Sequence, residues 1–255
     1  MPIQPGHYAD KQLFSRSGLV RFSHGSRFQL ARELVRPYAG GRLLDFGCGD
    51  GTFLDLVKGL FPGALGADVD REQIADCERR FAGRNDIHFT STDRLANAAH
   101  QRAYDVVTCM EVLEHCPNDV QHDVLDRITS VTAAGGTVVI SVPIEIGPAL
   151  VAKQCARGLL AMRGLDQYST RERYTPAEIA RLVLAGPDTA FPRLETTGTS
   201  ADGRLFRYTG HKGFNWRALQ RAVEQRFEIE RRLFSPLPVF GPFLNSQVWF
   251  VCRKG

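Results

Sequence analysis

The chain has 255 residues, 43% of them hydrophobic, enough for one large core or for one core with a modest added lobe. Lys and Arg number 32 against 28 Asp and Glu, a formal charge of +4 with no long basic run, so charge nominates no partner and nucleic acid is not expected. The six cysteines form no CxxC pair and read as free thiols of a reducing compartment. No N-terminal signal core and no run of about eighteen apolar residues is present, so a cytoplasmic protein without a membrane span is expected.

Residues 1–40 read as an N-terminal helical segment, its period clearest in "RFQLARELVR" before Pro37. Residues 41–146 alternate strand and helix. "GRLLDFG" predicts a buried strand over Leu43–Phe46 that ends in a glycine turn, "TFLDLVKGLF" a helix, and "GALGADVD" a second strand ending on two acids. "REQIADCERRFAG" predicts the next helix, "IHFTSTD" and "YDVVTCME" two more strands, "VQHDVLDRITSVTAAGG" a further helix and "TVVISVPI" a fifth strand. Nearly continuous apolar strands between helices predict an α/β fold with a doubly wound, mostly parallel sheet covered on both faces. From 147 to 210 the alternation stops. Two helices, "PALVAKQCARGLLAMRG" and "YTPAEIARLVLAG", and the polar text around "ETTGTSADGR" predict a helical lid insertion that binds the acceptor. Residues 211–255 return to the core with the helix "NWRALQRAVEQRF" and a C-terminal antiparallel strand pair, "EIERRLF" and "SQVWFVCRK".

The turn after the first strand carries Gly47, Gly49 and Gly51 in GxGxG spacing, not the GxGxxG of a dinucleotide site. Bare backbone at a helix N-terminus admits a closely packed ligand. Asp45 before the turn would repel a pyrophosphate but accept hydrogen bonds from a ligand bearing a cation, so the expected ligand is not phosphate-rich.

On these motifs, from about Gly41 to Ile146, the sequence resembles the class I (Rossmann-like) S-adenosylmethionine (SAM) methyltransferases, nearest in motif pattern to ubiquinone-pathway O-methyltransferases. The resemblance implies SAM as cofactor. Asp45, Phe46 and the backbone of Gly47, Cys48 and Gly49 would hold its methionine end, Asp68 its ribose hydroxyls, Asp93 would sit beside the adenine, and Val69 and Met110 would line the pocket. Asp70 either contacts the cofactor or caps the helix that begins near Glu72.

"CMEVLEHCPN" and "GHKGFNWRAL" are the second pair of motifs. Glu111, Glu114 and His115 form an ExxEH set that converges if a helix starts at the end of the fourth strand, and His211 stands in HxxFxW spacing. Similar sets in ubiquinone-pathway O-methyltransferases and small-RNA 2′-O-methyltransferases hold a divalent ion. The resemblance therefore implies Glu111, Glu114, His115 and His211 as ligands of Mg, Mn, Fe or Zn. The plainer alternative has the glutamates capping a helix and His115 packing beside the cofactor. Without a metal, His115 or His211 would serve as general base. The other histidines read as surface residues.

The implied activity is methyl transfer to an oxygen of a small-molecule or lipid- or carrier-linked acceptor. An RNA-terminal 2′-O-methyltransferase and a catalytically silent SAM-binding partner protein are the alternatives. The helix from Pro148 to Met162 sets Leu150, Val151, Leu159, Leu160 and Met162 against Lys153, Arg157 and Arg163, and so is either a lid packed on the core or a peripheral membrane contact over 148–163. "SPLPVFGPFL" either lines an apolar acceptor pocket or packs beneath the lid.

Overall fold

The computed structural model describes residues 18–162, 174–199, 203 and 205–255. Helix α1 (Gly18–Val35) precedes strand β1 (Arg42–Phe46), of which all but Arg42 is buried. Burial on both faces marks a central parallel strand. Then come α2 (Thr52–Leu56), β2 (Gly63–Asp68), α3 (Arg71–Arg80), β3 (Ile87–Ser91), β4 (Tyr104–Met110), α4 (Asn118–Val131) and β5 (Thr132–Pro143). Beyond β5 lie α5 (Ala149–Met162), α6 (Pro176–Val183), a hairpin of β6 (Glu195–Thr199) and β7 (Leu205–Thr209), α7 (Trp216–Glu224), β8 (Glu228–Ser235) and β9 (Gln247–Arg253).

Seven strands make one sheet in the order β3-β2-β1-β4-β5-β9-β8, parallel from β3 to β5, with β9 antiparallel to both of its neighbours. The direction of winding reverses between β1 and β4, which opens a crevice at their carboxyl ends, where open α/β sheets collect ligands. Alternation along β5 divides the core. Val138, Ile140 and Val142 face a layer that includes Leu125 and Ile128 of α4 and Leu219 and Val223 of α7. Val139 faces the opposite layer, with Ala31 and Leu34 of α1, Phe53 of α2 and Cys77 of α3. Trp249 of β9 is fully buried in that second layer, and its indole N–H donates to Ser235 Oγ at 3.0 Å.

The fold is the expected α/β doubly wound sheet with an antiparallel C-terminal pair, but several elements differ from expectation. The helix predicted over "TFLDLVKGLF" is one short turn, α2, because the chain passes into turns at Val57 and Gly59 takes φ +76°. "TAAGG" leaves α4 and enters β5, where Thr132 pairs with Tyr104. The polar "ETTGT" is strand, not loop: β6 pairs antiparallel with β7 in a separate two-stranded sheet, and a Cβ on Gly198 would come within 2.6 Å of the Phe206 ring. No α-helix carries Glu111, Glu114 and His115; Glu111 reverses the chain at φ +57° and Leu113–His115 form a 3₁₀ turn. Lys153 of α5 does not face outward with a polar stripe but ion-pairs with the fully buried Glu145. Arg163 and the side chains of Arg157, Leu159, Leu160 and Met162 lie outside the described residues. Among the described residues, no helix is long and apolar enough to cross a membrane.

Candidate functional site

The glycine turn lies at the carboxyl end of β1 and is fastened to β2. Gly47 and Cys48 N–H both donate to Ala67 O (2.7 and 3.1 Å), and Gly49 N–H donates to Asp68 Oδ2 at 2.9 Å. The other oxygen of Asp68 accepts from Asp70 N–H at 2.9 Å, so one carboxylate clamps both the turn and the start of α3. Asp70 itself caps α3, accepting from Glu72 and Gln73 N–H. Of the turn's three left-handed glycines, two serve different ends. A Cβ on Gly47 (φ +77°) would lie 2.2 Å from Val112 Cγ2, whereas at Gly49 (φ +52°) the nearest atom would be Gln73 Oε1, 3.9 Å away. Gly47 permits the close approach of the β4 loop; Gly49 leaves the turn open.

Asp45 is 2% exposed and accepts from Thr108 Oγ1 at 2.7 Å. Burial raises its pKa from 3.8 to about 7, against the Thr108 hydrogen bond and with a further push from Asp68. Burial also raises Asp68, and the donors from Asp70 and Gly49 oppose it. Phe46 and Cys48 are buried beside the turn, where burial holds the Cys48 thiol protonated. Val69 is exposed, Asp93 pairs with Arg71 Nη2 at 3.1 Å, and Met110 packs against the second core layer. Two acids set against a bare backbone turn suit a ligand with a positive charge and hydroxyl donors, and disfavour phosphate.

At the ends of β4 and β5 a second group assembles. Single ligand atoms of Glu114, His115 and His211 lie within 4.8 Å of one another. Both carboxylate oxygens of the fully buried Glu114 lack a hydrogen-bond partner among the described residues. Its pKa is pushed well up, by burial first and by Glu111 second. His115 Nδ1 lies 3.1 Å from Thr209 O, His211 Nδ1 lies 3.4 Å from Glu145 Oε1, and the two Nε2 atoms face each other at 3.2 Å. Glu111 stands outside this group, with Oε2 3.0 Å from Nη1 of the buried Arg27 on α1.

Several charged groups that build the site had no local sequence signal. Burial pulls the Glu145 carboxyl upward, but Lys153 and His211 overcome that pull and hold it at about 2. The Arg193 guanidinium donates to the carbonyls of Glu114, Cys116 and Gly210, fastening the 3₁₀ turn to the segment that brings in His211. Thr209 Oγ1 adds a bond to Glu114 O at 3.2 Å. Arg27, Glu145, Arg193 and Thr209 carry no motif, and their roles come chiefly from contacts across the fold, while Lys153 stands on the helix singled out by its period but turns to Glu145.

A mostly parallel seven-stranded sheet, an antiparallel inner strand near its far edge and a glycine turn clamped by an acid at the end of β2 define the Rossmann-like methyltransferase fold. The methyltransferase domain family matches residues 24–185, and the chain belongs to that family. It is similar to the ubiquinone biosynthesis O-methyltransferase of Thiobacillus denitrificans, 32% identical over 152 residues that make up 57% of this chain and 63% of that protein. The enzyme of the same name from Psychrobacter arcticus is 29% identical over 181 residues, 67% of this chain and 66% of that one. The chain thus spans less than two thirds of the length of these curated relatives. Among solved structures it resembles the N-methyltransferase NodS of Bradyrhizobium japonicum WM9 in complex with S-adenosyl-L-homocysteine (TM-score 0.53, 12% identity, 90% of this chain and 86% of that one). It also resembles an S-adenosylmethionine dependent methyltransferase of Mesorhizobium loti (TM-score 0.53, 15% identity, 90% and 98%). At these identities the structural likeness is one of fold.

Proposed function

We propose that the chain is a SAM-dependent methyltransferase acting on an oxygen of a small-molecule or lipid- or carrier-linked acceptor. The observation that carries this reading is the placement of an acidic, phosphate-averse glycine turn and a histidine pair with a buried carboxylate at the same edge of one sheet. The names of the curated relatives support oxygen as the methylated atom.

Asp45 and the backbone of Gly47 to Gly49, with Phe46 and Cys48 behind them, would hold the methionine end of SAM. Asp68 would hold the ribose, Asp93 would sit beside the adenine, and Val69 and Met110 would line the pocket. When bound, SAM supplies an electrophilic methyl group. The chain's own work is to orient the acceptor hydroxyl and take its proton, for which Nε2 of His115 or His211 is suited.

Glu114, His115 and His211 also fit a divalent ion, since an unpartnered buried carboxylate beside two imidazole nitrogens is a mixed oxygen and nitrogen donor set. Glu111 would have to leave Arg27 to join it. Such an ion would supply positive charge that lowers the pKa of the acceptor hydroxyl. The cations beside His211 are engaged, Lys153 with Glu145, Lys212 with Glu178 and Arg193 with main-chain carbonyls, which favours a small-molecule acceptor over RNA.

Titration calorimetry with SAM tests the cofactor reading: wild type binds, Asp68→Ala binds at least tenfold more weakly, and absence of binding to wild type overturns it. Methyl transfer to a phenol and catechol panel after chelation, with Mn added back, tests the ion. Loss in chelated wild type with recovery on Mn, and no recovery in Glu114→Gln, is the expected result. Full transfer by metal-free protein removes the ion from the proposal.

A further inference from the structure

Both histidines of the pair turn Nδ1 toward a group that can only accept a proton bond. Thr209 O is a main-chain carbonyl, 3.1 Å from His115 Nδ1. Glu145 Oε1 lies 3.4 Å from His211 Nδ1 and also receives the ammonium of Lys153. A carbonyl and a carboxylate beside an ammonium carry no proton of their own, so each ring places its proton on Nδ1 and, when neutral, leaves a lone pair on Nε2. Those two Nε2 atoms face each other at 3.2 Å. At that distance the two nitrogens are within hydrogen-bond range, and the approach is accounted for by a proton or a cation shared between them.

Glu145 is not where packing alone would put a carboxylate. Its chain neighbours Ile144 and Ile146 are buried, Ile144 N–H is tied to Ser246 O at 2.8 Å, and Gly147 N–H to Leu182 O at 3.0 Å, so the segment is held rigidly and points Glu145 inward. A buried ion pair is often replaced by apolar residues of similar volume at no loss of stability, so stability alone is a weak reason for placing Glu145 and Lys153 here. Metal-ligating and proton-transferring histidines do require a partner on the far nitrogen.

We propose that Glu145 is a positioning residue that fixes His211 in its Nδ1–H form with Nε2 bare toward His115, and that Lys153 on α5 holds Glu145 in that role. The docking of α5 and the readiness of the histidine pair are then one structural event. The assignment rests on the reading of His115 and His211 as the reacting pair under the proposed function, and it deepens that reading by tying the segment after β5 to the chemistry.

The test uses the full chain labelled with ¹⁵N-histidine, free of metal and cofactor, at a pH where His211 is neutral. Two-bond ¹H–¹⁵N correlation spectra report which ring nitrogen carries the proton. Wild type is expected to show His211 with Nδ1 protonated and Nε2 bare. In the paired variant Glu145→Leu with Lys153→Met, which removes both charges together and spares the fold an unpaired one, His211 should become a mixture of the two forms. Manganese titration of the same two proteins should show affinity lower in the variant by about 10–100-fold.

A wild-type His211 with its proton on Nε2 overturns the assignment and requires no variant. An unchanged proton position in the variant overturns it equally. A wild type that binds no manganese removes the ion from the proposed function and leaves the spectra to decide on Glu145. A wild type with the expected His211 form that fails to bind SAM sinks the methyltransferase reading alone.

Discussion

Replacing Asp45 with asparagine removes a carboxyl group that the fold holds almost without solvent. The group is 2% exposed, and burial is the main cause of its rise from 3.8 to about 7. In the unfolded chain it ionises near the ordinary value, about 3.9. Between about 4 and 7 the folded protein therefore keeps a proton that the unfolded chain has released. Stability from this group is present below the lower value and is lost as pH rises toward the upper one. A rise from 3.8 to about 7 amounts, at about 1.4 kcal/mol for each tenfold change in proton affinity, to about 4 kcal/mol across that window. The amide of asparagine has similar shape and no charge to desolvate. Urea unfolding of the cofactor-free protein at about pH 5 and about pH 8 should show Asp45→Asn gaining on wild type as pH rises, by about 2–3 kcal/mol between the two, the rest of the window lying below pH 5. The same variant should bind SAM more weakly, because the ionised carboxylate is the form that a cation recruits. Parallel stability profiles for wild type and variant from about pH 4 to 8 would refute the reasoning.

Two further outcomes are expected. Gly47→Ala places a Cβ 2.2 Å from Val112 Cγ2 on a left-handed residue, so it should lose about 1–3 kcal/mol in thermal melts, and Gly47→Ala with Val112→Ala should recover only the steric part; a wild-type melting temperature for Gly47→Ala contradicts the close approach. Arg27→Met leaves Glu111 without the guanidinium at 3.0 Å and should lose about 1–3 kcal/mol, with Arg27→Met plus Glu111→Gln losing less than the two single changes combined; strict additivity in that cycle shows the pair to be energetically idle.

The parts of the molecule legible in the sequence are those in which neighbours along the chain do the work. "LLDF" is a buried central strand because its apolar run says so, and the turn, Asp68 and Asp70 all lie within one strand–helix–strand unit whose hydrogen bonds are local. The 3₁₀ turn at Leu113–His115 was hidden because ExxEH has the period of a helix, and the reversal at Glu111 comes from the junction of β4 and β5. The β6–β7 hairpin was hidden because its residues are mostly exposed and polar, so no apolar alternation betrays it. Arg27, Glu145 and Arg193 carry no signal of their roles in the sequence around them. Each is placed by at least one partner far away in sequence, Glu111 for the first, His211 together with the nearer Lys153 for the second, and three main-chain carbonyls for the third.

The position of β9 inside the sheet bears on how the protein is made. By the time Pro143 leaves the ribosome, all five parallel strands exist, yet the outer edge of β5, with Val138, Val139, Ile140 and Val142, has no neighbour until Gln247 to Arg253 arrive. At about 5–20 residues per second, the hundred or so residues between them take about 5–20 seconds to synthesise. For that interval the nascent chain displays an unpaired edge of an apolar strand, of the kind that pairs with other chains. Completion of the sheet therefore waits on residues made much later, and the yield of folded protein should depend on how well chaperones shield that edge while the intervening residues are made.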